Sequence, residues 1–117
     1  MSVTLELKVR LRQGGEIAMG PGKAELLEAI AAAGSISAAA RQMGMSYRRA
    51  WLLVDVMNRS FDAPLVRSAT GGQRGGGASV TAAGLQVLAQ FRAMEQAAAA
   101  AAAPYLEALR AQQAMRE

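Results

Sequence analysis

The stretch of sequence that decides the fold spans residues 34–58 and reads GSISAAARQMGMSYRRAWLLVDVMN. Ala40 is small enough for two helices to cross closely, and Gly44 permits a sharp turn between them. Ser46 can then cap a helix over residues 47–58, where apolar residues recur at helical spacing. These features predict a helix-turn-helix, whose second helix inserts into the major groove of DNA. The alternative is a small helical domain with an ordinary turn.

Residues on the N-terminal side predict one strand and two helices. Apolar and charged side chains alternate over residues 3–12, which is the period of a strand, and a glycine pair follows. After a Gly-Pro-Gly turn, a first helix is predicted over residues 23–33, followed by a glycine suited to a left-handed C-cap. Either Ser35 or Ser37 can cap a short second helix over residues 38–43.

A glycine-rich hairpin is predicted after the helix-turn-helix. Residues 65–68 and 78–80 predict two short strands, and the loop at residues 70–77 holds five of the twelve glycines. A Walker-type phosphate loop needs a lysine after its last glycine, whereas Ala78 and Ser79 stand there, so the motif of a nucleotide-binding enzyme fails. A flexible linker is the other alternative. A hairpin in this place predicts the wing of a winged helix, which contacts DNA backbone or minor groove.

A long helix is predicted from Thr81 onward. Seven alanines at residues 97–103 strongly favour helix, and a helix from Thr81 to Ala103 spans about 34 Å at 1.5 Å per residue. Pro104 is expected to break or kink this helix. We therefore expect a mostly α fold with a small β component. Its architecture is a winged helix-turn-helix with an N-terminal strand and a two-stranded wing. Residues 1–80 are expected to form the DNA-binding domain and residues 81–117 a long dimerisation helix. The predicted dimerisation residues are Leu85, Leu88, Phe91, Leu106 and Leu109.

Length and composition exclude several classes of protein. At 117 residues the chain makes one domain, and it has no cysteine and no histidine. Disulfides, thiolate zinc sites, a serine-histidine triad and histidine-ligated metals are therefore impossible. No run of about 18 uncharged apolar residues is present, and the N-terminus lacks the apolar block of a secretory signal. We expect a cytoplasmic protein that is not an enzyme, holds no cofactor or metal, and does not bind a membrane.

Positive charge is concentrated around the predicted recognition helix and wing. The formal net charge is +4, and residues 41–74 contain six arginines, no lysine and only two acids. The planar guanidinium of arginine can bind a phosphate, or the O6 and N7 atoms of guanine, through two hydrogen bonds. An arginine-only patch on these elements therefore favours double-stranded DNA as the partner over a merely solvated surface.

Individual residues of these elements are assigned roles. Arg48 is expected to contact base edges together with Tyr47 and Leu52, and Arg49 to contact phosphate, or the two arginines exchange roles. Trp51 is more often part of a core than a base contact, because large aromatic side chains usually bury. The full set of predicted DNA-binding residues is Arg41, Ser46, Tyr47, Arg48, Arg49, Trp51, Leu52, Arg59, Arg67, Thr70, Gly72, Gln73 and Arg74.

Three segments in combination resemble a known family. They are GSISAAARQMGMSYRRAW at residues 34–51, Met57-Asn58, and ATGGQRGGGA at residues 69–78. Together they resemble the N-terminal DNA-binding domain of the ModE family of molybdate-responsive transcriptional regulators, and more distantly the LysR-type helix-turn-helix. The resemblance covers about residues 5–95. It implies a winged helix with a long dimerisation helix, a homodimer that binds a palindromic operator, and control of molybdenum-related genes.

The end of the chain departs from this family. ModE proteins carry molybdate-binding domains after the long helix, whereas this sequence ends at Glu117. We therefore expect DNA binding without molybdate binding by this chain, and regulation by a separate molybdate-sensing protein, by a partner chain, or not at all. Two other functions stay open. One is a protein-interaction module that pairs with another regulator through Trp51 and Leu52, and the other is a non-specific nucleoid-type DNA-binding protein.

Overall fold

Four helices and two small antiparallel hairpins make up the part of the chain that the structure describes. The computed structural model describes residues 2–69 and 77–114, and the predicted DNA-binding residues Thr70, Gly72, Gln73 and Arg74 lie outside them. The elements, in chain order, are β1 (Leu11–Gln13), β2 (Glu16–Met19), α1 (Pro21–Ala33), α2 (Ile36–Gln42), α3 (Tyr47–Ser60), β3 (Val66–Ala69), β4 (Gly77–Val80) and α4 (Ala82–Ala111). This order agrees with the mostly helical fold predicted from the sequence.

Local signals at the helix ends build the helix-turn-helix. Helix α1 ends at Gly34, which has a φ of 75° and donates its N–H to the Ile30 carbonyl. Ser35 caps α2, because its hydroxyl oxygen accepts a hydrogen bond from the Ala38 N–H at 3.1 Å. Gly44, with a φ of 68°, makes the turn into α3. The predicted helix-turn-helix therefore corresponds to α2, this turn and α3.

The core lies where α1, α2 and α3 meet, and α4 adds one aromatic ring to it. Leu26, Leu27 and Ile30 of α1 are fully buried, and Phe91 of α4 belongs to the same cluster. Burying a side chain of this size stabilises the fold by roughly 1.5–3 kcal/mol. Ala40 of α2 is also buried, in keeping with the close helix crossing expected at that position.

The predicted N-terminal strand over residues 3–12 is wrong in its extent. Within the predicted range only the last two residues belong to a strand, which is β1. This strand pairs antiparallel with β2, and β2 was not predicted. Gly14, with a φ of 60°, and Gly15 form the two-residue turn between them. The glycine pair therefore joins two strands instead of ending one. The alternating residues before β1 have no partner strand among the described residues.

The first residues of the chain instead contact the far end of α4. The Val3 N–H donates to Gln113 Oε1 at 2.9 Å, and Arg110 Nε donates to the Val3 carbonyl at 2.9 Å. Val3, Leu5 and Leu7 stay exposed, and of the alternating apolar side chains only Val9 and Leu11 pack against the core. The alternating pattern before β1 therefore does not come from a strand that packs in a sheet.

Asn58 fixes the wing to the recognition helix. The wing is the antiparallel pair β3 and β4, in which Val66 lies opposite Val80. Asn58 Oδ1 accepts hydrogen bonds from the N–H groups of Leu65 at 2.8 Å and Val66 at 3.0 Å. Asn58 Nδ2 donates to the Val66 carbonyl at 3.0 Å. One side chain of α3 thus supplies three hydrogen bonds to the start of the wing.

Replacing Asn58 by alanine is expected to lower the free energy of unfolding by about 2 kcal/mol, because two backbone N–H groups lose their acceptor inside the protein. Both belong to buried residues, Leu65 and Val66. Urea unfolding monitored by circular dichroism measures this loss. Asn58→Asp keeps the acceptor oxygen and is expected to lose less. Equal stability of Asn58→Ala and the wild type would show that the wing does not depend on this side chain.

Helix α4 begins against the wing and then leaves the core. Thr81 Oγ1 accepts a hydrogen bond from the Gly84 N–H at 3.0 Å and donates to the Pro64 carbonyl at 2.7 Å. Only Gly84 and Phe91 of its 30 residues are buried. The helix is not broken at Pro104, since it continues to Ala111, and the predicted kink there stays a prediction. Proline removes one N–H donor from the helix, and the alanines before it have the highest helix propensity.

Arg92 holds α4 against α1 through ion pairs. Its Nη2 lies 2.8 Å from Glu28 Oε1 on α1, and its Nη1 lies 2.8 Å from Glu95 Oε1 on α4. The two carboxylates raise the pKa of the Arg92 guanidinium, mainly through these hydrogen bonds.

None of the described helices combines the length and the apolar character that crossing a membrane requires.

Candidate nucleic-acid interface

Helix α3 is anchored on one face and presents the other. Ser46 caps it, with Oγ accepting the Arg49 N–H at 3.1 Å, which confirms the predicted cap. Ala50, Val54 and Met57 are buried and fix the helix to the core. At 100° per residue, Arg48 and three other residues point away from this stripe. The outward residues are Arg48, Leu52, Asp55 and Arg59.

The outer part of α3 exposes large apolar side chains as well as charge. Tyr47 is 56% exposed, Trp51 46% and Leu52 45%. Trp51 is therefore only partly covered by the protein, and its assignment to the core rather than to a base contact stays a prediction. Aromatic, aliphatic and cationic side chains that stay exposed on one helix provide hydrogen-bonding and van der Waals contacts for a partner surface.

Arg59 is not a free cation, although the sequence analysis placed it among the DNA-binding residues. Its guanidinium donates to Glu16 Oε1 at 2.7 Å and Oε2 at 2.9 Å, and to Asp55 Oδ2 at 3.1 Å. The hydrogen bonds from Arg59 hold the pKa of the Glu16 carboxyl below its ordinary value. Arg59 therefore joins α3 to β2, and its charge is matched by two carboxylates within the chain.

The remaining predicted arginines in the described part of the chain are available to a partner. Arg41 lies on α2, Arg48 and Arg49 on the first turn of α3, and Arg67 on β3, and all four are exposed. None of them forms an ion pair within residues 2–69 and 77–114. The unmatched charges are thus distributed over the helix-turn-helix and the wing.

A shallow cavity brings three of these elements together. It has a volume of about 240 Å³ and is bordered by Ser37 of α2, Tyr47 of α3, and Ser68 and Gly77 of the wing. The first turn of α3, where a recognition helix contacts base edges, is therefore next to the ends of β3 and β4 at Ala69 and Gly77. The described ranges contain no group of three or more acidic side chains that could hold a metal ion.

Sequence reasoning missed three basic residues beside the recognition helix. Lys8, Arg10 and Lys23 border a larger cavity that also includes Arg49 of α3. The first two were assigned to the polar face of a strand and the third to the start of a helix, where exposed charge is ordinary. A local pattern gives no signal that the three converge on α3, because they belong to different parts of the chain.

The predicted dimerisation residues differ in their availability. Leu85 and Leu109 are 52% and 58% exposed, whereas Leu88 and Leu106 are half-buried. Phe91 is 1% exposed and belongs to the core of its own chain, so it cannot contact a second chain. Tyr105 was not predicted, yet it is 74% exposed one helical turn before Leu109.

The combination of α2, the turn, α3 and an antiparallel wing defines a winged helix-turn-helix domain, which is a class of DNA-binding fold. A family model described as "Bacterial regulatory helix-turn-helix protein, lysR family" matches residues 22–85. The chain therefore belongs to the lysR family of bacterial regulatory helix-turn-helix proteins.

Relatives in sequence have names that refer to molybdenum or to transcription. The chain is 45% identical over 87 residues to the molybdenum-pterin-binding protein MopA of Rhodobacter capsulatus, covering 74% of this chain and 33% of that protein. It is 35% identical over 96 residues to the DNA-binding transcriptional dual regulator ModE of Escherichia coli (strain K12), covering 82% and 36%. These matches support the ModE-type helix-turn-helix domain indicated by the sequence. The chain spans about a third of the length of these relatives.

A solved structure shows the same fold. The crystal structure of the CbnR_DBD-DNA complex superposes with a TM-score of 0.57 and 22% sequence identity, covering 76% of this chain and 97% of that one. At this identity the likeness concerns the fold alone. It supports the winged-helix architecture that the helices and hairpins define.

Proposed function

We propose that this chain is a transcriptional regulator that binds double-stranded DNA at specific sequences as a homodimer. The observation that carries the proposal is the face of α3 on which Arg48, Trp51 and Leu52 are exposed. The buried side of α3 fixes the helix to the core. Its other side carries an arginine and apolar groups, which can contact base edges in the major groove. The protein acts in the cytoplasm, where bacterial DNA is found.

The residues divide between positioning and sequence discrimination. Arg41, Arg49 and Arg67 contact phosphates and set the register of the domain on the duplex. Arg48 contacts the edge of a guanine, and Leu52 meets a thymine methyl group. The Ser46 hydroxyl oxygen accepts the cap hydrogen bond, and its O–H stays available to donate to a phosphate. Thr70, Gly72, Gln73 and Arg74, which lie outside the described residues, complete the predicted set.

Similarity to MopA and ModE supports molybdenum-related genes as the targets. The target genes and the effector belong to the proposal, since the chain covers about a third of each relative. A separate molybdate-sensing protein would supply the response to molybdate. An interaction module is the second candidate function, because the exposed Trp51 and Leu52 could equally contact a protein.

Selection from a library of random duplexes tests sequence-specific binding by a dimer. We expect the enriched duplexes to share a two-fold symmetric sequence whose half-sites lie about one helical turn, roughly 34 Å, apart. Enrichment of a single asymmetric site would contradict the dimer. The absence of any enriched sequence, with uniform binding to the library, would identify a non-specific DNA-binding protein instead.

Dimerisation through α4 has its own test. The double variant Tyr105→Glu and Leu109→Glu is expected to raise the dissociation constant of the dimer at least about tenfold, because charge enters an apolar contact. Sedimentation equilibrium measures the change. The matched control, Ala100→Glu with Ala111→Glu, adds the same charge at exposed positions on the opposite face of the helix and should leave the dimer intact. A dimer unaffected by the first variant would exclude this part of α4 from the interface.

A further inference from the structure

The basic cavity beside α3 has no role in the contacts proposed so far, apart from that of Arg49. It has a volume of about 390 Å³ and lies between the N-terminal segment, the first turn of α1 and the first half of α3. Among the residues that the structure describes, four cationic side chains and no acidic one border it. They are Lys8, Arg10, Lys23 and Arg49.

The charges at this cavity are unmatched. None of the four cations forms an ion pair within the described residues. Burial lowers the pKa of the Lys23 ammonium, and the nearby charge of Arg49 lowers it further, whereas Glu16 acts in the opposite direction. The positive charges around the cavity repel one another, and burial makes the charged form of Lys23 less favourable. An anion bound between the cations would replace this repulsion with attraction.

The position of the cavity relative to α3 indicates the source of the anion. Asn58 and Tyr47 lie on the side of α3 that contacts the wing. Arg49 and Leu53 lie on the opposite side and border the basic cavity. The exposed face of α3 is therefore flanked by the wing on one side and by this cavity on the other. A helix of about 10–12 Å fills a major groove about 12 Å wide, so elements on both sides meet the phosphate backbones that form its walls.

We propose that this cavity binds a backbone phosphodiester of the DNA, on the wall of the major groove opposite the wing. The proposal rests on the proposed function, since it concerns the same recognition helix. Cations can contact the phosphate oxygens, while apolar side chains of the lining, among them Ile17 and Leu53, suit the adjoining deoxyribose. The wing and the cavity thus hold the duplex from two sides and orient α3 between them.

A scan with methylphosphonate duplexes tests the assignment. Each duplex carries one uncharged linkage, and binding is measured for the wild type, Lys23→Gln, Arg10→Gln and the matched control Arg12→Gln. For the wild type, neutralising the phosphate in the cavity is expected to weaken binding about tenfold, the size of a charged hydrogen bond. Lys23→Gln and Arg10→Gln should be less sensitive to that one linkage than the wild type, and Arg12→Gln should keep the full effect, because Arg12 does not border the cavity.

The salt dependence gives a second readout. Each lost phosphate contact is expected to reduce the slope of log K against log salt concentration by about 0.9. Lys23→Gln and Arg10→Gln should show this reduction with unchanged sequence preference, and Lys23→Arg should restore the slope. Thermal unfolding of each variant checks that the fold is intact, and Arg10, being exposed, can be replaced without disturbing the core.

Three outcomes would overturn the proposal. If the wild type binds DNA and all variants respond alike to every methylphosphonate, the cavity does not hold a phosphodiester, although the proposed function stands. If inorganic phosphate at constant ionic strength raises the melting temperature of the wild type but not of Lys23→Gln, while the scan shows no difference, the ligand is a free oxyanion. If the wild type binds no duplex, the proposed function fails together with the inference.

Discussion

Replacing Arg48 by alanine is expected to weaken binding to the preferred duplex by about 10- to 100-fold, within the range that a two-hydrogen-bond contact to guanine supplies. Arg48 is exposed on the first turn of α3 and forms no ion pair within the described chain. Binding to a scrambled duplex should fall only several-fold, since that complex loses one charge and no base contact. The ratio between the two affinities, measured by fluorescence anisotropy, reports the loss of sequence discrimination.

Arg48→Lys is the matched control. Lysine keeps the positive charge but lacks the planar fork, so binding to scrambled DNA should stay near that of the wild type while the preference falls. If Arg48→Lys instead keeps the full preference and Arg48→Ala weakens both duplexes equally, Arg48 contacts phosphate and base recognition belongs to another residue, with Arg49 the next to be tested.

Replacing Gly84 by alanine is expected to lower the free energy of unfolding by about 3 kcal/mol, at the upper end of what overpacking usually costs. A Cβ atom at position 84 would overlap the Leu65 carbonyl oxygen and lie 2.6 Å from Val80 Cγ1. The first obstacle is backbone, which cannot rotate away as the end of a side chain can. Helix α4 would have to move away from the wing, and urea unfolding measures the loss.

Gly22→Ala is the control for this prediction. Gly22 lies in the first turn of α1, and a Cβ atom there would meet nothing within 4 Å. Alanine should stabilise that helix by up to about 1 kcal/mol, because it is the better helix former. The two glycines thus predict opposite signs for the same substitution. If Gly84→Ala also stabilised the protein, α4 would not pack against the wing as closely as the structure shows.

The helix-turn-helix could be predicted from the sequence because its signals are local. Gly34, Gly44, Ser35 and Ser46 act on residues within one helical turn, so their effect is the same wherever the rest of the chain lies. The N-terminal hairpin could not be predicted equally well. A period of two specifies a strand but not its partner, and the four residues of β2 are too few to show a period of their own.

The location of the candidate site could be predicted from the sequence, but the exposure and ion pairing of each side chain could not. The concentration of arginine on the recognition helix is visible in the sequence, whereas the pairing of Arg59 with Glu16 joins residues 43 positions apart. Lys23 meets Arg49 at one cavity for the same reason, because α1 packs beside α3. The exposure of Trp51 likewise depends on packing, which composition does not specify.

The most direct test of sequence-specific binding is an anisotropy titration of the wild-type chain with the selected symmetric duplex and with a scrambled duplex of equal composition, at two salt concentrations. We expect a preference of about 10³-fold or more for the symmetric duplex, the usual lower bound for specific regulators. Both affinities should fall as salt rises, because phosphate contacts release counterions. Equal affinity for the two duplexes, or no binding at the lower salt concentration, would contradict the assignment of α3 as a sequence-reading helix.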